Sequence, residues 1–310
     1  MRTGRSSAPV SVEVQNLAFK PGCTTALIGP NGSGKSTVVN GLMGLRPDLS
    51  VEARVNGTTY ADTPPPHRHF LGFASQQQSF PPGLRVGSLL AFHRRAHRLT
   101  QTHATAQGLE PSEFSGRIID KMSGGQKQRL NLFLALGHGP ALAILDEAEA
   151  SLDEKTIRIV KAALQARNAA GLTSIVATHD AEILSAAQEV VLIEEGRVSS
   201  HSGLGKLMSD RFGAGVLEIT FEDAAERVRL MRVIAESRER RLVVAPDPLK
   251  AMVFGTKALK DLPKDPRFGG KRMGLAWRSV TTYDLLLSLE AEEVHLPIEH
   301  DHALAFDSSA

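Results

Sequence analysis

One cysteine, Cys23, one tryptophan and two tyrosines stand in 310 residues. The lone cysteine excludes an internal disulfide framework and suits a reducing compartment. Long apolar runs are also missing. The longest, such as Ala141–Leu145, fall far short of the ~20 residues a membrane helix needs, so any work at a membrane would need another chain to do the spanning. The N-terminus M-R-T-G-R-S-S-A-P is basic, but no apolar segment follows it, and no secretory signal is expected. Charge of one sign is scarce too: 36 Lys and Arg against 34 Asp and Glu leave a net +2. That is no surplus for a nucleic-acid-binding surface, and no nucleic-acid partner is expected. What remains, 42% apolar and 23% charged residues, is ordinary for a chain that folds around one large core or two domains.

From Val10 to about Met208 short apolar segments alternate with helical patterns. Ala26–Gly29, Ala141–Leu145, Ser174–Thr178 and Val190–Ile193 read as buried strands, and Val38–Leu45 as a helix. Buried strands alternating with helices imply an α/β fold with a mostly parallel sheet covered on both faces. Asn56-Gly57 marks an antiparallel hairpin appended to that core, and Glu194-Glu195-Gly196-Arg197 a second hairpin turn. After about Gly203 the composition shifts, with Gly213-Ala214-Gly215 as a linker. Beyond it, Val216–Phe221 and Leu242–Ala245 read as strands; Asp223–Arg241, Pro248–Leu262 and Thr281–Glu290 read as helices. A small α+β unit is expected there.

The stretch Gly29-Pro30-Asn31-Gly32-Ser33-Gly34-Lys35-Ser36-Thr37 follows a strand and opens a helix, the context a phosphate-cradling loop requires. Its glycines let backbone N–H groups turn inward around phosphates, and the helix start adds partial positive charge. Lys35 would reach the terminal phosphates of a nucleotide, and the Ser36 hydroxyl would ligate Mg²⁺. An apolar strand ending in Asp146-Glu147 supplies the other half. Asp146 would stand beside the metal, and Glu147 would act on the attacking water. Met122-Ser123-Gly124-Gly125-Gln126 reads either as a capped helix start or as a second anion site built on a helix N-terminus.

With Ser123-Gly124-Gly125-Gln126 placed between the phosphate loop and the acidic strand, the sequence resembles the ATP-binding subunits of ABC transporters over residues ~10–208. The resemblance implies a P-loop ATPase domain with a small antiparallel β subdomain and a helical subdomain, the latter shortened here to roughly Gly87–Met122. It implies that Ser123–Gln126 form the signature segment, which contacts ATP held by the opposite subunit. Asp153 of Ser151-Leu152-Asp153 takes the D-loop position, and His179 of Thr178-His179-Asp180 that of the switch histidine. Gln76, in Gln76-Gln77-Gln78, best matches the Q-loop glutamine that touches Mg²⁺. Further implications are ATP and Mg²⁺ as ligands and a homodimer, or pairing with a similar ATPase subunit. A separate integral membrane permease is implied, with a substrate-binding protein left open as a further partner. Residues 1–211 would form the ATP-binding domain and 212–310 an accessory domain, with the whole peripheral on the cytoplasmic face of the cell membrane. The rival reading is a soluble ABC-type ATPase of metal-cluster assembly or DNA repair.

Some positions depart from the family pattern. Upstream of the phosphate loop the only aromatic is Phe19, read here as part of the following strand, so no evident residue stacks on adenine. Met122 replaces the usual leucine, and Ala148 the frequent proline. Arg94, Arg95 and Arg98 read as a solvated face or a partner contact. His295, His300 and His302 read as a polar terminus or a metal-binding tail.

Overall fold

The computed structural model describes residues 17–45, 54–55, 58–59, 70–213, 215–221, 225, 243–247, 249–255 and 274–290. The chain divides into two compact units, Met1–Leu207 and Met208–Ala310.

The first unit is built on a six-stranded sheet. Its strands are β1 (Thr24–Ile28), β4 (Leu71–Ala74), β5 (Leu142–Asp146), β6 (Thr173–Ala177), β7 (Glu189–Glu194) and β8 (Arg197–Gly203). The short strands β2 (Arg54–Val55) and β3 (Thr58–Thr59) pair separately as the antiparallel hairpin expected around Asn56-Gly57. In the large sheet the order is β4-β5-β6-β1-β7-β8; the first five run parallel and β8 returns antiparallel. The cause is visible in the sequence. T-T-A-L-I of β1 is buried throughout, as are the apolar centres of β5, β6 and β7, so these strands need cover on both faces. β8 instead alternates exposed and half-buried residues, as an edge strand with one wet face does. Its hairpin turns at Glu195 (φ 49°) and Gly196 (φ 76°), both left-handed, which fits a tight two-residue turn.

Period-two alternation sends strand residues to opposite faces. Leu27, Ile144, Ile175 and Val191 pack with Val38 and Val39 of α1 (Lys35–Leu42). Leu145 and Val176 pack on the other face with Phe133 of α3 (Gly124–Leu136) and Leu164 of α4 (Glu154–Ala169). Each such buried side chain contributes about 1.5–3 kcal/mol. Arg167 of α4 is fully buried and pinned by Ser174 Oγ (3.0 Å), Pro140 O (3.0 Å) and Thr173 O (2.9 Å). Burial lowers its pKa to about 10. The shortened helical segment is α2 (Val86–Ala96) followed by three 3-10 turns at Ala104–Leu109, Ser112–Phe114 and Ile119–Lys121. Arg94, read as part of a solvated face or a contact for a partner or acidic lipid heads, is exposed and pairs with Glu110. The first unit also contains the short α5 (Ala181–Leu184). α6 (Leu204–Phe212) carries the chain across the division.

The second unit is an antiparallel sheet in the order β10-β11-β9-β12, formed by β9 (Gly215–Thr220), β10 (Val243–Asp247), β11 (Lys250–Gly255) and β12 (Gly274–Arg278), with α7 (Thr282–Glu290). Gly215, read as linker, is the first residue of β9 and pairs with Gly255. The helix expected over Pro248–Leu262 is corrected. Lys250–Gly255 is a central strand hydrogen-bonded to both β10 and β9, and Ala251, Met252, Val253 and Phe254 are all buried. Four consecutive apolar residues suit burial on both sides, which a surface helix does not offer. The expected helix Asp223–Arg241 lies outside the described residues except Ala225, which is helical; His295, His300 and His302 lie outside them as well.

Asp284, fully buried at the start of α7, accepts two bonds of 2.6 Å from the Arg278 guanidinium. Thr281 N and Oγ1 add bonds at 2.7 and 2.9 Å. Arg278 is one-third exposed, so solvent tempers the ion pair. Asp284→Ala is expected to destabilise this unit by about 2–3 kcal/mol, at or below the bottom of the roughly 3–5 kcal/mol range for a fully buried broken pair because Arg278 is partly solvated. Urea unfolding of the full chain, followed by the fluorescence of its only tryptophan, Trp277 of β12, reads this directly. An unchanged midpoint would reject it.

Candidate functional site

In the sheet, β5, β6 and β1 are neighbours and run parallel, so the loops after them meet at one edge, where open α/β sheets place their ligands. After β1 comes the Gly29–Ser36 loop. Only glycine fits at position 29: a Cβ there would lie 2.0 Å from Ile193 O. Gly34, at φ 108°, caps α1 in the left-handed region. Lys35 is 4% exposed, and its Nζ donates to Gly29 O (2.9 Å) and Pro30 O (3.1 Å), which places the ammonium inside the loop. Ser33 Oγ is buried without a hydrogen-bond partner. A cradle of backbone N–H groups, a buried cation and an unspent hydroxyl suits an anionic phosphate.

Ser36 Oγ donates to Asp146 Oδ1 at 3.1 Å, joining the start of α1 to the end of β5. Burial pushes the Asp146 carboxyl up; the Ser36 bond opposes this, Glu147 adds to it, and Lys35 opposes it again. Two oxygen donors, one a desolvated carboxylate, fit a hard dication such as Mg²⁺.

Glu147 has the left-handed φ of 46°, uncommon outside glycine, and its N–H donates to Ala177 O of β6 at 2.9 Å. His179, just past β6, has Nε2 3.3 Å from Glu147 Oε1, in ion-pair range but not aligned as a hydrogen bond. With Glu149, Ala150 and Asp180 they line a cleft of about 270 Å³.

Sequence reasoning passed over Glu149. It is half-buried, and its carboxylate accepts from Thr178 Oγ1 and from His179 N (3.1 Å). Burial raises its pKa, with the Thr178 bond opposing. It therefore fixes the turn that presents His179. Gln128 likewise carries no local signal in the sequence. It is 1% exposed, and its Nε2 bridges Ser75 O (3.2 Å), beside Gln76, and Ala148 O (2.8 Å), beside Glu147. We expect Glu149→Ala to lower kcat by about tenfold with little change in KM, as loss of a group acting only through His179 should. A KM shift with kcat intact would contradict this.

Ser123 caps α3 in a reciprocal capping box: Gln126 N donates to Ser123 Oγ (3.3 Å) and Ser123 N to Gln126 Oε1 (3.2 Å). Gly125 lies against the loop before α4, where a Cβ would meet Ser151 O at 2.7 Å. Asp153 caps α4 through Thr156 N at 2.8 Å. The structure therefore gathers Gly29–Ser36, Asp146, Glu147 and His179 at one edge. Ser123–Gln126 and Asp153 stand at the starts of α3 and α4. Gln76 is exposed beyond β4, on the same sheet edge as Asp146 but in no described contact with it. Phe19 precedes β1 instead of lying within it, half-buried against the cluster under α1.

The family model for ABC transporters matches residues 12–150. A dimeric, post-hydrolysis state of the ATP-binding cassette MJ0796 bound to ADP and Pi superimposes with a TM-score of 0.55 at 24% identity, covering 66% of this chain and 94% of that one. An ATP-binding subunit of an ABC transporter gives 0.56 at 22% identity, covering 67% and 89%. The first unit has the ATP-binding cassette fold. The cassette also resembles the ATP-binding subunits of known transporters in sequence. It is 36% identical over 197 residues to the Fe(3+) ions import ATP-binding protein FbpC 2 of Rhodococcus jostii, covering 59% of this chain and 55% of that protein. It is 31% identical over 210 residues to the macrolide export ATP-binding/permease protein MacB of Rhodospirillum rubrum, covering 64% and 32%. The chain thus spans from about a third to just over half the length of these relatives. No helix among the described residues is long and apolar enough to cross a membrane.

Proposed function

We propose that the chain is the ATP-hydrolysing subunit of an ABC transporter, driving a separate membrane permease. The observation that carries this reading is the convergence of Lys35, the Ser36–Asp146 pair and the Glu147–His179 pair at one sheet edge. Phosphoryl transfer needs positioning and charge stabilisation more than covalent chemistry, and these residues supply both. The loop amides and Lys35 hold the β- and γ-phosphates. Ser36 and Asp146 hold Mg²⁺, which when bound neutralises charge developing on the transferred phosphoryl group. Glu147 orients and deprotonates the attacking water, and His179 holds the γ-phosphate side of the cleft. Gln76, on the same sheet edge as Asp146, would supply a further oxygen ligand.

Ser123–Gln126 sit apart from the loop of their own chain, which supports a site completed by a second copy placed head to tail. Two such sites close in one symmetric dimer, with Asp153 and Ser151 supporting the signature segment at the interface. ATP binding draws the copies together and hydrolysis releases them, a two-state movement a permease can convert into alternating access. The subunit then lies peripherally on the cytoplasmic face of the membrane through its permease, with a substrate-binding protein as a further partner in an importer. Expression with neighbouring permease genes, followed by affinity purification, tests this: an integral membrane protein should copurify and stimulate Mg²⁺-dependent ATP hydrolysis. A chain that hydrolyses ATP but captures no membrane protein would favour a soluble ATPase instead.

A further inference from the structure

Away from the nucleotide edge, three histidines meet where α2 ends beside the C-terminal end of α3. His93 and His97 are one helical turn apart on α2, and His138 follows the α3 cap residue Gly137. The His97 and His138 rings stack with centroids 3.9 Å apart, and His93 lies 4.7 and 5.6 Å from them. One nitrogen from each ring falls within 4.8 Å of the other two.

Ring stacking alone leaves polar atoms unaccounted for. His93 is 6% exposed, and its Nε2 donates to Leu134 O at 3.0 Å. That bond fixes the tautomer and leaves the Nδ1 lone pair as an acceptor, yet Nδ1 is buried with no hydrogen-bond partner. Both His138 nitrogens are buried without one as well; the carbonyls of Leu71 and Leu134 lie near that ring without bonding geometry. Buried polar atoms left unpaired are costly and uncommon. A cation bound by one nitrogen of each ring would satisfy His93 Nδ1 and one His138 nitrogen together, leaving the other His138 nitrogen to carry its proton toward the nearby carbonyls. The bond from His93 to Leu134 O is the outer-shell support that metal-bound imidazoles have, a ring N–H held by a backbone carbonyl.

We propose that His93, His97 and His138 form a binding site for a divalent transition-metal ion of the Zn²⁺ class, with water as the fourth ligand. Three imidazole nitrogens suit zinc better than Mg²⁺ or Ca²⁺, which prefer oxygen. A tetrahedral site with Zn–N of about 2.0–2.1 Å needs nitrogens about 3.3–3.4 Å apart, so nitrogens at the 4.8 Å limit would close in by about 1.4–1.5 Å as the stacked rings rotate toward the ion. His97 caps α2 and His138 lies just beyond α3, positions where small ring and backbone rotations are cheap. The nearby Arg94 cation is already engaged by Glu110. The bound ion would clamp the end of α2 to the end of α3, the helix whose other end carries Ser123.

The test uses the full chain, stripped with chelator and dialysed against Zn²⁺, with metal content measured by mass spectrometry. Wild type should take up about one equivalent more than His97→Ala, and lose at least about tenfold in Zn²⁺ affinity on that substitution. The nucleotide site and His295, His300 and His302 are present in both proteins, so the difference counts the cluster alone. Co²⁺ added to stripped wild type should give the intense visible bands of a four-coordinate site, and His138→Asn should remove them. Equal zinc uptake by wild type and His97→Ala would overturn the proposal. So would the absence of four-coordinate Co²⁺ bands in wild type, a result independent of whether either variant folds.

Discussion

Glu147→Gln is expected to cut steady-state ATP hydrolysis by about 10²–10⁴-fold, the usual contribution of a positioned general base, while ATP still binds. The substitution keeps the side chain's shape in the cleft beside His179 and removes only the carboxylate's basicity. It leaves the Gly29–Ser36 loop and the Ser36–Asp146 bond untouched. It also removes a negative neighbour that raises the Asp146 pKa, so Asp146 becomes a better anion for Mg²⁺. Hydrolysis should therefore fail while the bound state survives, and with ATP and Mg²⁺ the variant should elute from a sizing column as a stable dimer where wild type equilibrates. A turnover rate within about threefold of wild type would remove Glu147 from the role of base.

The parts of this site that were legible in the sequence are those whose chemistry demands contiguity. A phosphate cradle needs successive backbone N–H groups followed by a helix, so Gly29 to Ser36 announce it locally. Asp146 is legible because an apolar strand must end where its carboxylate is delivered. Glu149 was not, because a lone acid after a strand looks solvated; its burial comes from Thr178 and His179, which join it only when β5 and β6 pair. Gln128 was hidden for the same reason, since its partners Ser75 and Ala148 belong to loops far away along the chain. In Ser123–Gln126 the modest reading of a capped helix is realised in full by the capping box, and the same geometry leaves glycine N–H groups at a helix start. The second unit was less readable. A short run such as Ala251–Phe254 is compatible with helix or buried strand until its neighbours are known, and β12 carries no alternation strong enough to announce itself.

Lys35→Met separates stability from function in opposite directions. The Lys35 ammonium is almost wholly withdrawn from water, and burying such a charge is costly. The methionine stem follows the same path through the loop without that cost. The nucleotide-free variant should therefore melt at or above the wild-type temperature. Its response to ATP should vanish, because the amides alone cannot balance the terminal phosphates. In wild type, ATP at about 100 times its dissociation constant should stabilise the cassette by about 2.7 kcal/mol, read as a rise in melting temperature. A loss of at least about 100-fold in affinity would reduce that gain at the same ATP concentration to less than about 0.5 kcal/mol. A melting curve of Lys35→Met that still rises with ATP as wild type does would place the nucleotide somewhere other than the Gly29–Ser36 loop. A variant that melts well below wild type without nucleotide would instead show that the ammonium's bonds to Gly29 O and Pro30 O outweigh its desolvation and shape the loop before any phosphate arrives.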